Sequence, residues 1–147
     1  MSPPLCKARQ VARAPASVVV CGTLKRNAAA LQWLRQSFQA ARKDAAPAMV
    51  IFLHANPWAS PSARFFGFRE LLAALDAETR KFSGEVLLVH GDTHRHRVDR
   101  PAIHPDGGAP PANFTRVEVF GYPVMNWVRI RVSEEAGRVS FSVSPGS

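Results

Sequence analysis

The feature that constrains the fold most strongly is an alternation, along the first two thirds of the chain, between short apolar runs and segments with helical spacing of apolar residues. Three short apolar runs are typical of buried strands: Ser17–Cys21, Ala48–Leu53 and Glu85–His90. Between them, apolar residues recur every three or four positions over Asn27–Lys43 and roughly over Ser62–Phe82, which predicts two helices. Strands that alternate with helices form parallel pairs joined by right-handed crossovers, so this order predicts an α/β fold.

Capping residues set the expected ends of the two helices. Thr23 or Asn27 can cap the first helix, because short polar side chains accept hydrogen bonds from free backbone N–H groups. Ser60 is a suitable N-cap for the second helix, with Pro61 at its first position. Ser83-Gly84 is expected to end it.

The last part of the chain changes to a period of two. Alternating residues predict strands over Phe114–Gly121, Trp127–Val132 and Arg138–Val143, the last two as an antiparallel hairpin around a turn at Glu134–Gly137. Before them, the proline- and glycine-rich segment Arg97–Asn113 predicts a long loop.

Length and composition indicate one domain. A chain of 147 residues that is 46% hydrophobic can bury a core of its own. Residues 1–16 are basic and interrupted by prolines, so we expect a disordered arm there, and a single domain over residues 17–147. No apolar run reaches the roughly 18 residues of a membrane span. The N-terminus has no apolar signal segment, so the chain as given is expected to be cytoplasmic.

The charge balance favours anionic partners without identifying one. Nineteen lysines and arginines against eleven acidic residues give a net charge of +8. The basic residues are scattered and do not interleave with aromatic residues, so nucleic-acid binding is not favoured. A non-catalytic basic α/β module that holds a protein partner, an anionic ligand or nucleic acid stays open as an alternative function. Cys6 and Cys21 are isolated and form neither a zinc ribbon nor a disulfide framework.

Polar side chains follow two of the predicted strands directly. His54 comes after Ala48–Leu53, and Asp92 and His94 come just after Glu85–His90. Because the carboxyl ends of parallel strands share one edge of a sheet, these side chains are expected to face one crevice. Imidazole and carboxylate groups are common transition-metal ligands. The sequence therefore indicates a metal site at this edge.

The other histidines have plainer interpretations. A lone histidine after a strand is usually a polar loop residue, and His104 lies in the proline-rich loop. His90 is compatible with an orientation into the sheet, and His96 with a solvated position. A single-metal site built from His90, Asp92, His94 and His96 is the least favoured arrangement, because one short loop would have to supply all four side chains.

Two stretches of the chain resemble a known family. The segment Val86–Pro101 reads VLLVHGDTHRHRVDRP and, followed by Asn113–Gly121 and Trp127–Ile130, resembles the C-terminal part of bacterial calcineurin-like metallophosphoesterases. Arg26–Ala41 is similar to the helix that precedes the family's histidine-bearing strand. The resemblance covers about residues 18–143. It implies part of a four-layer α/β/β/α sandwich with a two-metal site at the strand ends.

The resemblance also implies a ligand set. His54 corresponds to the histidine that ends the strand of the family's fourth motif. Gly91-Asp92-Thr93-His94 corresponds to the closing Gly-His-x-His motif, with Asp92 in place of the first histidine. His54, Asp92 and His94 are then the metal ligands. The implied cofactors are divalent Mn, Fe or Zn, and the implied reaction is hydrolysis of a phosphate ester by a metal-bound hydroxide.

Several family motifs are missing upstream. The family's Asp-x-His, Gly-Asp and Gly-Asn-His motifs precede the fourth motif, but the only acidic residue before His54 is Asp44. Three ligands are too few to hold two metals. We therefore expect a truncated or degenerate domain with incomplete metal binding and no assigned catalytic residue. A second chain that supplies the missing half, or self-association, is the expected partner. Many relatives in the family are exported, so the resemblance leaves localisation open.

Overall fold

A computed structural model describes residues 16–21, 27–59 and 68–146, and of residues 16–21 and Asn27 the backbone only. Its elements, in chain order, are β1 (Ala16–Cys21), α1 (Asn27–Lys43), β2 (Ala48–Leu53), α2 (Arg69–Lys81), β3 (Glu85–His90), β4 (Arg97–Asp99), β5 (Phe114–Glu118), β6 (Val128–Glu135) and β7 (Arg138–Pro145). The expected alternation of strands and helices, and with it the α/β class, is confirmed. The predicted arm lies outside the described residues except for Ala16, which begins β1.

Five strands form a mixed central sheet in the order β1-β2-β3-β5-β4. The first four run parallel, and β4 pairs antiparallel with β5 at the edge. Leu53 is opposite His90 in the pairing of β2 with β3, and His90 is opposite Glu118 in the pairing of β3 with β5. The parallel register therefore brings the carboxyl ends of these three strands to one edge, as the sequence predicts.

The main core lies between the helices and one face of the sheet. Phe38 of α1 and Leu72 of α2 pack against Leu88 and Phe114, and all four side chains are buried. Phe38 also meets Phe82 edge to face, with ring centroids 5.8 Å apart. Burial of each such side chain contributes about 1.5–3 kcal/mol to stability. None of the described helices is long and apolar enough to cross a membrane.

The opposite face of the sheet is covered by the β6–β7 hairpin. Val50, Leu87, Val89 and Val117 are buried there, against side chains from the hairpin that alternate inward: Val128, Ile130, Phe141 and Val143. The described residues thus form three layers, namely two helices, a mixed sheet and a two-stranded hairpin.

The observed elements differ from those expected in several places. Helix α2 begins at Arg69, with Phe68 at its N-cap and no side-chain cap, instead of near Ser62. The expected caps at Thr23 and Ser60 lie outside the described residues. The predicted loop contains β4, because Val98 pairs with Val117 and adds a short edge strand to the sheet. Strand β5 ends at Glu118, before the expected Gly121.

The hairpin turn is tighter than the sequence indicates. Glu135 pairs with Arg138, so Ala136 and Gly137 alone make the turn, with φ values of 50° and 76°. Two positive φ values match the twist of a two-residue hairpin, and glycine adopts them at little cost. Strand β6 consequently extends past Val132 to Glu135.

Candidate metal site at the carboxyl edge of the sheet

Backbone hydrogen bonds hold together the loops that follow β2, β3 and β5. The Gly91 N–H donates to the carbonyl of His54 at 3.2 Å, and the Val119 N–H donates to the carbonyl of His90 at 2.8 Å. The loop after β3 therefore lies between the other two. The residues that sequence patterns single out, His54, Asp92 and His94, are on adjacent loops, and their side chains are exposed.

The His94 ring is oriented by the chain that follows β5. Its Nδ1 lies 2.8 Å from the backbone carbonyl of Tyr122. A carbonyl oxygen only accepts, so Nδ1 carries a hydrogen, and in the neutral imidazole Nε2 is then the nitrogen with the lone pair. The ring also lies directly against Gly121, where a side chain would collide with it. A backbone carbonyl on one ring nitrogen is the usual arrangement that orients the other nitrogen of a metal-binding histidine.

Among the described residues, the Asp92 carboxylate accepts one hydrogen bond. Its Oδ2 accepts a hydrogen bond from the Asn56 backbone N–H at 3.2 Å, which ties the β3 loop to the β2 loop. Asp92 and His94 both have positive φ, 80° and 57°, a region that Asp and Asn tolerate better than most residues. The local backbone is thus specific, and contacts elsewhere must stabilise it.

His90 and His96 make contacts of their own outside this group. His90 is buried under the Trp58 ring, with centroids 5.9 Å apart, and its Nδ1 lies 3.0 Å from the Gly91 carbonyl. Burial lowers the pKa of His90. His96 stacks on Phe120, and its Nδ1 meets the Glu118 carbonyl at 3.1 Å. The arrangement of all four loop side chains around one metal is therefore not formed.

A buried polar layer beneath the loop is absent from the sequence-based prediction. Arg116 and Glu118 of β5 are both buried, although polar residues that alternate with apolar ones along a strand often face solvent. Arg116 forms a bidentate pair with Asp99, and its guanidinium lies 4.8 Å from the Trp58 ring centre. Strand β5 lies between β3 and β4, and interior strands of parallel sheets are buried on both faces. The burial of Arg116 and Glu118 therefore follows from the interior position of β5, and the strand order was the signal that could have predicted it.

The donor set suits a divalent cation only in part. An imidazole nitrogen with a free lone pair, a carboxylate oxygen and a second histidine are chemically suitable for Mn, Fe or Zn. Across the part of the chain that the structure describes, however, no three His, Cys, Asp or Glu side chains converge closely enough to hold an ion. His54, Asp92 and His94 thus lie on neighbouring loops at one edge of the sheet, but their side chains do not converge on a common metal position. Comparison with protein-family models, curated proteins and solved structures finds no match for this chain.

Proposed function

We propose that this chain is a calcineurin-like metallophosphoesterase domain with an incomplete set of metal ligands. Its helices, mixed sheet and hairpin would be three layers of the family's four-layer α/β/β/α sandwich. The ancestral reaction is metal-dependent hydrolysis of a phosphate ester. His54, Asp92 and His94 bind the divalent metal in this proposal, and no residue is assigned a catalytic role.

The orientation of His94 carries the proposal. Its Nδ1 is hydrogen-bonded to the Tyr122 carbonyl, so that Nε2 is the ligand nitrogen of the neutral, exposed ring. His90 and His96 make the same kind of Nδ1–carbonyl contact, but His90 is buried and His96 is half-buried, so of the three rings only that of His94 is exposed. Asp92 lies two residues away, with one carboxylate oxygen tied to Asn56 and the other available. This pair is the part of the donor set whose side chains are held by hydrogen bonds to neighbouring segments of the chain.

The chain's own residues would hold and orient the ion. A bound divalent metal supplies a hydroxide nucleophile at neutral pH and neutralises phosphate charge. His54 would reach the site from the β2 loop, which the Gly91 N–H ties to the β3 loop. Three donors cannot fix two ions, so we expect weak binding and no hydrolysis by this chain alone. A second chain, or a second copy, would have to complete the site before a phosphate ester is cleaved.

Metal content tests the proposal. The protein is brought to equilibrium by dialysis against buffer that contains manganese, and the metal bound in excess of the free concentration is measured, together with His94→Ala and the control His104→Ala. His104 is a suitable control because its ring contacts Asp106 in the proline-rich loop. We expect bound manganese in the wild type and in the control, and its loss in His94→Ala. Absence of metal from all three proteins would rule the proposal out.

A second candidate function is the non-catalytic binding module. It is favoured by the segment before β6, where Tyr122, Met125 and Trp127 are exposed and Arg129 stacks over Trp127 at 5.0 Å. Electrostatic binding of a labelled oligonucleotide would weaken steeply as salt rises. Such affinity, lost in Arg129→Ala and unaffected by His94→Ala, would favour this function over the metal site.

A further inference from the structure

The loop that carries Asp92 and His94 needs stabilisation from outside itself. Residues 91–96 belong to no helix or strand, and two of them have positive φ without being glycine. Such backbone costs on the order of 1–3 kcal/mol per residue and persists only where surrounding contacts fix it. The question is which residues do so.

Glu118 is the common partner of this loop. Its side chain is fully buried at the end of β5, where an unpaired carboxylate would be very costly. Oε1 accepts hydrogen bonds from the Thr93 hydroxyl and from the Arg95 N–H, the latter at 3.4 Å. Oε2 lies 3.0 Å from Arg97 Nε, close enough for an ion pair although no aligned hydrogen bond forms. One carboxylate thus contacts three alternate residues of the segment.

Thr93 extends the contact to the β2 loop. Its hydroxyl donates to Glu118 and accepts from Asn56 Nδ2 at 2.8 Å. The Trp58 N–H donates to Asn56 Oδ1 at 2.9 Å, which fixes which end of the Asn56 amide faces Thr93. Asn56 is itself buried, and its backbone N–H holds Asp92. The sequence of contacts therefore runs from β5 through the β3 loop to the β2 loop.

We infer that Glu118 is a positioning residue that acts through Thr93 and Asn56 to set the backbone of the Asp92–His94 loop. This inference rests on the proposed function, because the loop that Glu118 positions carries the proposed metal ligands Asp92 and His94. Its physical content is independent of any metal. Without the Thr93 hydroxyl, Glu118 Oε1 and Asn56 Nδ2 both lose their best partner, and the loop is free to leave its conformation.

The test compares Thr93→Val with Thr93→Ser and with Thr115→Val. Valine keeps the shape and removes the hydroxyl, whereas serine keeps the hydroxyl. Alternation along β5 places Thr115 on the opposite face from Glu118, so the control carries the same substitution away from the network. Three quantities are measured by NMR and titration: amide exchange at Asn56 and Asp92, the ring signals of His94, and the affinity for manganese.

In Thr93→Val, amide exchange at Asn56 should rise by about tenfold or more, because a buried hydrogen-bonded pair is lost. Manganese affinity should fall about 10- to 100-fold, as is typical when a residue that orients a ligand is removed. Thr93→Ser should restore both quantities, and Thr115→Val should leave the His94 signals unchanged.

Each failure has its own signature. If wild-type protein binds no manganese, the proposed function is wrong, and the exchange and ring signals still decide the positioning role. If wild-type protein binds manganese and Thr93→Val leaves exchange, ring signals and affinity unchanged, the positioning role is wrong and the metal site stands.

Discussion

The two ends of the central sheet differ in how they are closed, although the same strands run through both. On the helix-covered face, β3 begins with Val86 and Leu88 and ends with buried His90. Strand β5 begins with Phe114 and ends with buried Glu118. The amino half is therefore closed by apolar packing, and the carboxyl end by hydrogen bonds and ion pairs.

The two ends of the sheet therefore contribute differently: one mainly to stability, the other mainly to the position of the loops. Apolar contacts are non-directional, so the amino half tolerates small displacements and supplies most of the free energy of folding. Buried polar groups need particular partners at particular angles, so the carboxyl end contributes less net stability but fixes where its loops lie. The residues proposed to bind metal are on the geometrically specified end.

The largest expected effect is at the apolar end. Phe114→Ala removes a fully buried ring and should lower the free energy of unfolding by about 3–5 kcal/mol, measured by urea denaturation. Phe141→Ala, in the half-buried hairpin position, is the matched control and should cost clearly less. Equal costs would mean that the two faces of the sheet are packed alike.

The polar end should respond to loss of one ion-pair partner. Asp99→Ala leaves the Arg116 guanidinium buried without its carboxylate and should cost about 1–3 kcal/mol in urea denaturation. In the control, Asp106→Ala, the partner Arg69 is exposed, so the cost should stay below about 1 kcal/mol. If both variants lost the same free energy of unfolding, burial would not strengthen the ion pair between Arg116 and Asp99.

Acid should weaken the polar end through His90. Burial lowers the folded-state pKa of His90 below its ordinary value of 6.5, so below that pH the unfolded chain binds the proton more readily. The contribution of neutral His90 to stability is thus complete above pH 6.5 and is lost as the pH falls towards the folded-state pKa. His90→Gln should reduce the acid-induced loss in urea denaturation, whereas His104→Gln should not. If His90→Gln lost as much free energy of unfolding on acidification as the wild type, His90 would not be the cause of the acid sensitivity.

The smallest effect is expected on the outer face of the hairpin. Arg131 is exposed on β6, so Arg131→Ala should change the free energy of unfolding by no more than about 0.5 kcal/mol. Thermal and urea denaturation would both measure it. A loss above about 1 kcal/mol would show that this face is covered in solution.

Much of the fold follows from local patterns. Strands β1 to β3 and helix α1 coincide with the periodic segments because each apolar run has one place to be buried. Strand β4 was missed because three residues, Arg97–Asp99, have no period of their own and are strands only through β5. The start of α2 at Arg69 was missed because cap residues earlier in the chain offered a plausible start.

The candidate site was only partly predictable for a related reason. Strand order alone brings His54, Asp92 and His94 to one edge, and the sequence contains that information. Glu118 and Asn56 were missed because their burial depends on what packs above them, which is a tertiary property. Glu118 lies inside the sheet because β5 has a neighbouring strand on each side, and the local pattern of β5 does not contain that information.

The most direct test of the central claim is paramagnetic broadening of histidine ring signals during titration with manganese. Broadening falls steeply with distance from the ion, so it reports which rings lie near the metal. We expect His94 and His54 to broaden first, at manganese below one equivalent, while His104 stays sharp. Broadening of His104 together with the others, or of no ring at all, would contradict a metal site at the carboxyl edge of the sheet.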